Sequence, residues 1–108
     1  MHIKTLTDFL SVSGQVQLDQ LEEVAKAGFK SIICNRPDGE AADQPTFAEL
    51  AIAAKKAGLE SRYIPIVPGQ ATDAEAVLFA KAMDNLPGPV LAFCKSGARS
   101  TMLWEMAQ

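Results

Sequence analysis

The chain has 108 residues, 48% hydrophobic and 21% charged, with a net charge of -3. That length fits one domain, residues 1–108, able to bury roughly two-thirds of its unfolded surface without staples. Acidic and basic residues are interspersed with no basic stripe, which argues against nucleic-acid binding. The longest apolar runs are five residues, such as Ala76–Ala80, too short to span a membrane. No signal-like apolar core follows Met1, so a cytoplasmic location is expected.

Ile3–Leu6 and Phe9–Val12 alternate weakly and predict two short strands joined as a hairpin. Leu18, Leu21, Val24 and Ala25 have helical spacing, and Gly28 stops that helix. Ser31–Asn35 predicts a buried strand, which exits through the loop Arg36-Pro37-Asp38-Gly39-Glu40. Thr46–Glu49 and Thr72–Glu75 both have the form of a capping box, each opening a helix. Between them, Ser61–Ile64 predicts a strand ended by Pro65. Pro87-Gly88-Pro89 breaks the third helix, Val90–Phe93 forms the last strand, and Ser100–Ala107 closes the chain as a helix. Alternating strands and helices imply an α/β fold: a mainly parallel central sheet of about five strands with helices on both faces.

Chemistry concentrates in Cys94-Lys95-Ser96-Gly97-Ala98-Arg99-Ser100. Ligands bind at the carboxyl ends of strands in such sheets, and Cys94 lies there. Loop N–H groups and the dipole of the following helix converge on one point, which favours anions, a thiolate included. Lys95 adds charge, Gly97 lets the backbone curl, and Ser96 and Ala98 complete the cradle. Arg99 offers a fork for two oxygens of a tetrahedral oxyanion, and Ser100 is placed to donate to the thiolate as it leaves. Cys94, Arg99 and Ser100 are therefore the candidate catalytic residues, and Lys95, Ser96, Gly97 and Ala98 bind substrate.

These residues resemble the nucleophile loop of cysteine phosphatases of the protein-tyrosine and dual-specificity type, and that of rhodaneses. With Ile32–Glu40 and Tyr63–Ile66, the chain resembles the phosphatase-like domain found beside beta-lactamase-hydrolase-like proteins, often labelled sulfurtransferase. The resemblance implies a cysteine-phosphatase-like fold with Cys94 as nucleophile and Arg99 as oxyanion binder. Two features depart from the phosphatase pattern. Four residues rather than five separate Cys94 from Arg99, which is rhodanese length, and Phe93 stands where His is frequent.

Phosphate-ester hydrolysis usually needs a general acid. The matching position, near Val67-Pro68-Gly69, has none. Asp73, Asp38 and Asp43 are the alternatives, with Asp73 more simply a first-turn helix residue. Sulfur transfer through a Cys94 persulfide needs no such acid, so it is the leading expectation. A phosphatase acting through a Cys94 phosphoenzyme is the alternative, and a non-catalytic oxyanion-binding module is the second.

Cys34 reads first as a core residue and otherwise as a resolving thiol for Cys94. Arg36 and Glu40 pair with each other or with backbone, or Arg36 lines the site and steers an anionic substrate. One histidine and two separated cysteines exclude a structural zinc site. No metal or cofactor is expected. The expected partners are a small oxyanion or phosphorylated substrate and, for sulfur transfer, a sulfur-oxidising enzyme. Met102, Leu103, Trp104 and Met106 give the last helix enough apolar surface to be core or a homodimer contact.

Overall fold

A computed structural model describes all 108 residues. Five strands form one sheet: β1 (Ile3–Thr5), β2 (Leu10–Ser13), β3 (Ser31–Cys34), β4 (Glu60–Tyr63) and β5 (Val90–Phe93). Their spatial order is β1-β2-β5-β3-β4. Only β1 runs antiparallel, paired to β2 as the expected hairpin; the other strands are parallel. Four helices complete the fold: α1 (Leu21–Lys26), α2 (Phe47–Lys56), α3 (Asp73–Asn85) and α4 (Ala98–Met106). No helix is long and apolar enough to cross a membrane.

Both capping boxes close as expected. The Thr46 hydroxyl accepts from the Glu49 N–H at 3.1 Å, while Glu49 accepts from the Thr46 N–H at 3.0 Å. Thr72 and Glu75 repeat the pattern at the start of α3. Two helical starts differ from expectation. Leu18–Gln20 forms a 3₁₀ turn before α1, and α4 begins at Ala98, directly after the left-handed Gly97.

The three strands β2, β5 and β3 are buried on both faces; β5 is apolar throughout, as a strand covered on both sides should be, whereas β2 and β3 also bury Ser11, Ser13 and Ser31. Alternation along β5 divides the core in two. Val90 and Ala92 join Leu10, Ile33, Phe79 and Leu103 under α3 and α4. Leu91 and Phe93 join Ile32, Cys34, Leu21 and Leu50 under α1 and α2. Each large side chain buried in these layers contributes about 1.5–3 kcal/mol.

β3 leads into α2 on one face, whereas its neighbour β5 leads into α4 on the other. The two connections diverge above the carboxyl ends of β3 and β5. Such a switch point is where open α/β sheets bind ligands. In the register Phe93 is paired with both Ser13 and Cys34, so Cys94 emerges one residue beyond the paired strands, where the two connections part.

Candidate active site

Two backbone contacts hold the nucleophile loop on the sheet. The Cys94 N–H donates to the Ser13 carbonyl at 3.4 Å, and the Gln15 N–H donates to the Lys95 carbonyl at 3.3 Å. Gly14 makes the second contact sterically accessible, because a Cβ there would lie 2.9 Å from the Lys95 oxygen. Gly97 adopts φ +95°, and a Cβ on it would meet the Ser13 oxygen at 3.3 Å. Glycine is therefore required twice, once for approach and once for conformation.

Cys94 is fully buried at the floor of the loop. The Gly97 N–H points at its sulfur from 3.1 Å. Burial alone would raise the thiol's pKa, but the N–H groups of Ser100, Ser96, Arg99 and Gly97 outweigh it, and the net shift is downward. The thiolate is thus favoured by the backbone cradle itself.

Arg99 is oriented by a carboxylate. Its NH1 donates to Glu40 Oε2 at 2.8 Å and to the Ile66 carbonyl at 2.8 Å; its NH2 donates to Glu40 Oε1 at 2.9 Å. A guanidinium has five N–H donors. Three are taken, and the remaining two, Nε–H and one NH2 hydrogen, lie along a single edge. That edge matches two oxygens of a tetrahedral oxyanion. Glu40 also accepts from Arg36 Nε at 3.0 Å. Led by the Arg99 hydrogen bonds, these contacts hold the Glu40 carboxyl down at about 2. The two arginines and one glutamate leave one positive charge, which favours an anion.

Ser100 requires a correction. Asn35 Nδ2 donates to the Ile64 carbonyl at 2.9 Å, so its Oδ1 faces Ser100, whose hydroxyl donates to it at 2.8 Å. The single hydroxyl hydrogen is committed to Asn35 rather than to the thiolate. Both residues are fully buried. Ser100 reaches Cys94 through its backbone N–H.

The three candidate acids make no bond to the nucleophile loop. Asp38 accepts from the Phe47 N–H at 2.8 Å and caps α2. Asp73 opens α3 and lines a groove with Met106 and Ala107. Asp43 lines another groove with Leu18 and Asp19. Neither groove contains a residue of the nucleophile loop, and no hydrogen bond joins any of the three to that loop. Glu40 is the carboxylate paired to the site, and as an ion held by two arginines it is a poor proton donor.

Arg36 pairs with Glu40, the first of its two expected roles. Its Nε and NH1 are occupied by Glu40 and Gln15. Cys34 packs in the core under α1 and α2. Its Sγ–H donates to the Arg36 carbonyl at 3.3 Å, and burial pushes the thiol up to about 12. Both cysteines are free. On α4, Leu103 is core, Trp104 packs against it, and Met102 and Met106 remain partly exposed. Gln15, Asn35 and the Glu40–Arg99 pair were missed by sequence reasoning. The one available signal was a polar Asn35 directly after an apolar strand.

A cysteine-phosphatase-like fold thus carries a thiol in an anion-binding loop, closed by an arginine. Comparison with known proteins agrees with this class. Residues 2–108 match the family described as beta-lactamase hydrolase-like protein, phosphatase-like domain, and the chain belongs to that family. It is 36% identical over all 108 residues to a beta-lactamase hydrolase-like protein of Xylella fastidiosa strain 9a5c, and 34% identical over 103 residues to one of Agrobacterium fabrum. The match covers 25% and 24% of those relatives, so the chain spans about a quarter of their length. A crystal structure of a candidate phosphatase from Neisseria meningitidis Z2491 has a TM-score of 0.89 at 33% identity, covering 96% of this chain and 74% of that one. TpbA of Pseudomonas aeruginosa, solved in complex with pTyr, has a TM-score of 0.69 at 15% identity, covering 94% of this chain and 58% of that one, which speaks to fold alone. The phosphatase alternative therefore stands closer to these relatives than sulfur transfer does.

Proposed function

We propose that this chain is a cysteine-dependent enzyme in which Cys94 accepts a group from a tetrahedral oxyanion, with phosphomonoester hydrolysis as the first reading. One observation carries it. A thiol made acidic by four loop N–H groups lies in the loop that Arg99 closes, and Glu40 and the Ile66 carbonyl leave one edge of that guanidinium free. The Cys94 thiolate attacks phosphorus, the P–O bond to the leaving group breaks, and that oxygen departs with the electron pair. Water then attacks the thiophosphate, releasing phosphate and the Cys94 thiolate. Loop N–H groups and Arg99 stabilise the equatorial oxygens in both steps. Glu40, the carboxyl bonded to Arg99, is ionised, so leaving oxygens that need no proton are favoured, and aryl phosphates are expected to turn over faster than alkyl phosphates.

Sulfur transfer is the second reading, and two observations favour it. The loop has four residues between Cys94 and Arg99, and Glu40 is ionised. The thiolate attacks the outer sulfur of thiosulfate, the S–S bond breaks, and sulfite leaves with the electron pair. The Cys94 persulfide then passes its outer sulfur to an acceptor thiol, which regenerates the thiolate. A sulfur-oxidising partner that draws on that acceptor belongs to this reading.

One preparation tests both: hydrolysis of an aryl phosphate, and thiocyanate formation from thiosulfate and cyanide, each with Cys94→Ser as the blank. Cys94-dependent hydrolysis supports the first reading. Thiocyanate formation alone replaces it with the second. A Cys94→Ser protein with full biological activity would leave only a binding module.

A further inference from the structure

Arg36 is 8% exposed at its side chain, deep for a cation, and its bonds run to partners of the nucleophile loop. Its NH1 donates to Gln15 Oε1 at 3.0 Å. Gln15 in turn donates its backbone N–H to the Lys95 carbonyl at 3.3 Å. On the other side, Arg36 Nε reaches Glu40 Oε1 at 3.0 Å, and Glu40 holds Arg99 by two bonds of 2.8 and 2.9 Å. Lys95 and Arg99 are the two ends of the nucleophile loop. The bonds therefore close a ring outside that loop and grip it at both ends.

The ring has a fixed anchor. The Asp38 N–H donates to the Tyr63 hydroxyl oxygen at 2.9 Å, and Asp38 Oδ1 accepts from the N–H of Phe47. Phe47 and Tyr63 stack with ring centroids 4.8 Å apart. These contacts hold residues 36–40 against α2 and β4, so Glu40 meets Arg99 from a constrained direction.

We propose that Gln15, Arg36 and Glu40 form a positioning ring that fixes the nucleophile loop and selects which edge of Arg99 faces the substrate oxyanion, so that Arg36 acts on substrate chiefly through Glu40. The inference rests on reading the Cys94 loop as an oxyanion site. Arginine has many rotamers, and binding an anion with an unheld arginine includes the ordering of that side chain. Glu40 bears that ordering before substrate arrives, and Arg36 keeps Glu40 from following Arg99 into other rotamers. A shared network of this kind gives non-additive mutational effects.

The test separates binding from turnover. Inorganic phosphate and thiosulfate are titrated calorimetrically into Cys94→Ser, and into the same protein carrying Arg36→Lys, Glu40→Gln or both. Each substitution is expected to weaken anion binding about tenfold, and the pair no more than Glu40→Gln alone. In proteins that retain Cys94, KM rises while kcat stays within about threefold, the signature of lost ground-state and transition-state binding together. Multiplicative losses would overturn the proposal, because Arg36 would then reach the anion itself. Tighter binding in Glu40→Gln would also overturn it, leaving Glu40 as a repelling charge only. If Arg36→Lys fails to fold, Gln15→Leu removes one link of the ring, and unchanged anion affinity there counts against the ring. Anion binding without turnover in any Cys94-intact protein would remove the catalytic reading and leave the ring standing. No anion binding by Cys94→Ser removes the ring.

Discussion

Asn35→Leu tests how the loop and α4 are fastened to the sheet. The substitution nearly conserves volume and removes two buried hydrogen bonds, one to the Ile64 carbonyl at 2.9 Å and one from the Ser100 hydroxyl at 2.8 Å. Each partner left unsatisfied in the core costs about 1–3 kcal/mol, so with two of them the variant is expected to lose about 2–6 kcal/mol. In a domain of this size, at about 5 °C per kcal/mol, that lowers Tm by on the order of 10–30 °C. Ser100→Ala strands only the Asn35 oxygen and is expected to cost about 1–3 kcal/mol. The double variant removes both ends of that bond, so its cost should fall short of the sum by about 1 kcal/mol or more. Urea unfolding at constant m-value measures all three. A loss under about 0.5 kcal/mol for Asn35→Leu, or strict additivity in the cycle, would refute the reasoning.

Three further outcomes follow from the same contacts. Gly14→Ala forces its Cβ against the Lys95 carbonyl, and is expected to cost about 1–3 kcal/mol and raise KM; a thermal melt and a kinetic assay matching wild type would contradict the close approach. Iodoacetate should modify Cys94 with a pH midpoint below that of an ordinary thiol, while Cys34, pushed up to about 12, stays unmodified near neutral pH; peptide mapping across pH reads both. The Glu40 carboxyl is lowered in the folded chain, so its stabilisation is complete above the unfolded value near 4.5 and fades as pH falls toward about 2. The stability gap between wild type and Glu40→Gln should therefore close over that range, and a gap independent of pH would show that the ion pair contributes nothing.

What the sequence disclosed depended on distance along the chain. The capping boxes at Thr46 and Thr72 were legible because each side chain bonds to backbone three residues away. The Cys94–Arg99 loop was legible for the same reason, since its geometry arises within one turn. Strand order was not, because periodicity marks a buried strand without naming its neighbours, and β5 inserts between β2 and β3. Ser100 was misread because its hydroxyl partner, Asn35, lies 65 residues earlier. Glu40 was seen as a partner for Arg36, four residues away, yet its two bonds to Arg99 span 59 residues. No local pattern encodes that pairing. The acids Asp73 and Asp38 were legible as candidates by residue type; Asp73 stands in the first turn of α3, and Asp38, in the loop after β3, caps α2 from nine residues away, roles that need no catalysis.

The central claim is that Cys94 forms the covalent intermediate. The most direct measurement is intact-protein and peptide mass spectrometry of enzyme quenched rapidly after mixing with an aryl phosphate, and separately with thiosulfate. The account predicts a phosphoryl or single-sulfur adduct on Cys94 and none on Cys34, with both absent in Cys94→Ser. Turnover without any adduct on Cys94, or an adduct carried by Cys34, would contradict it.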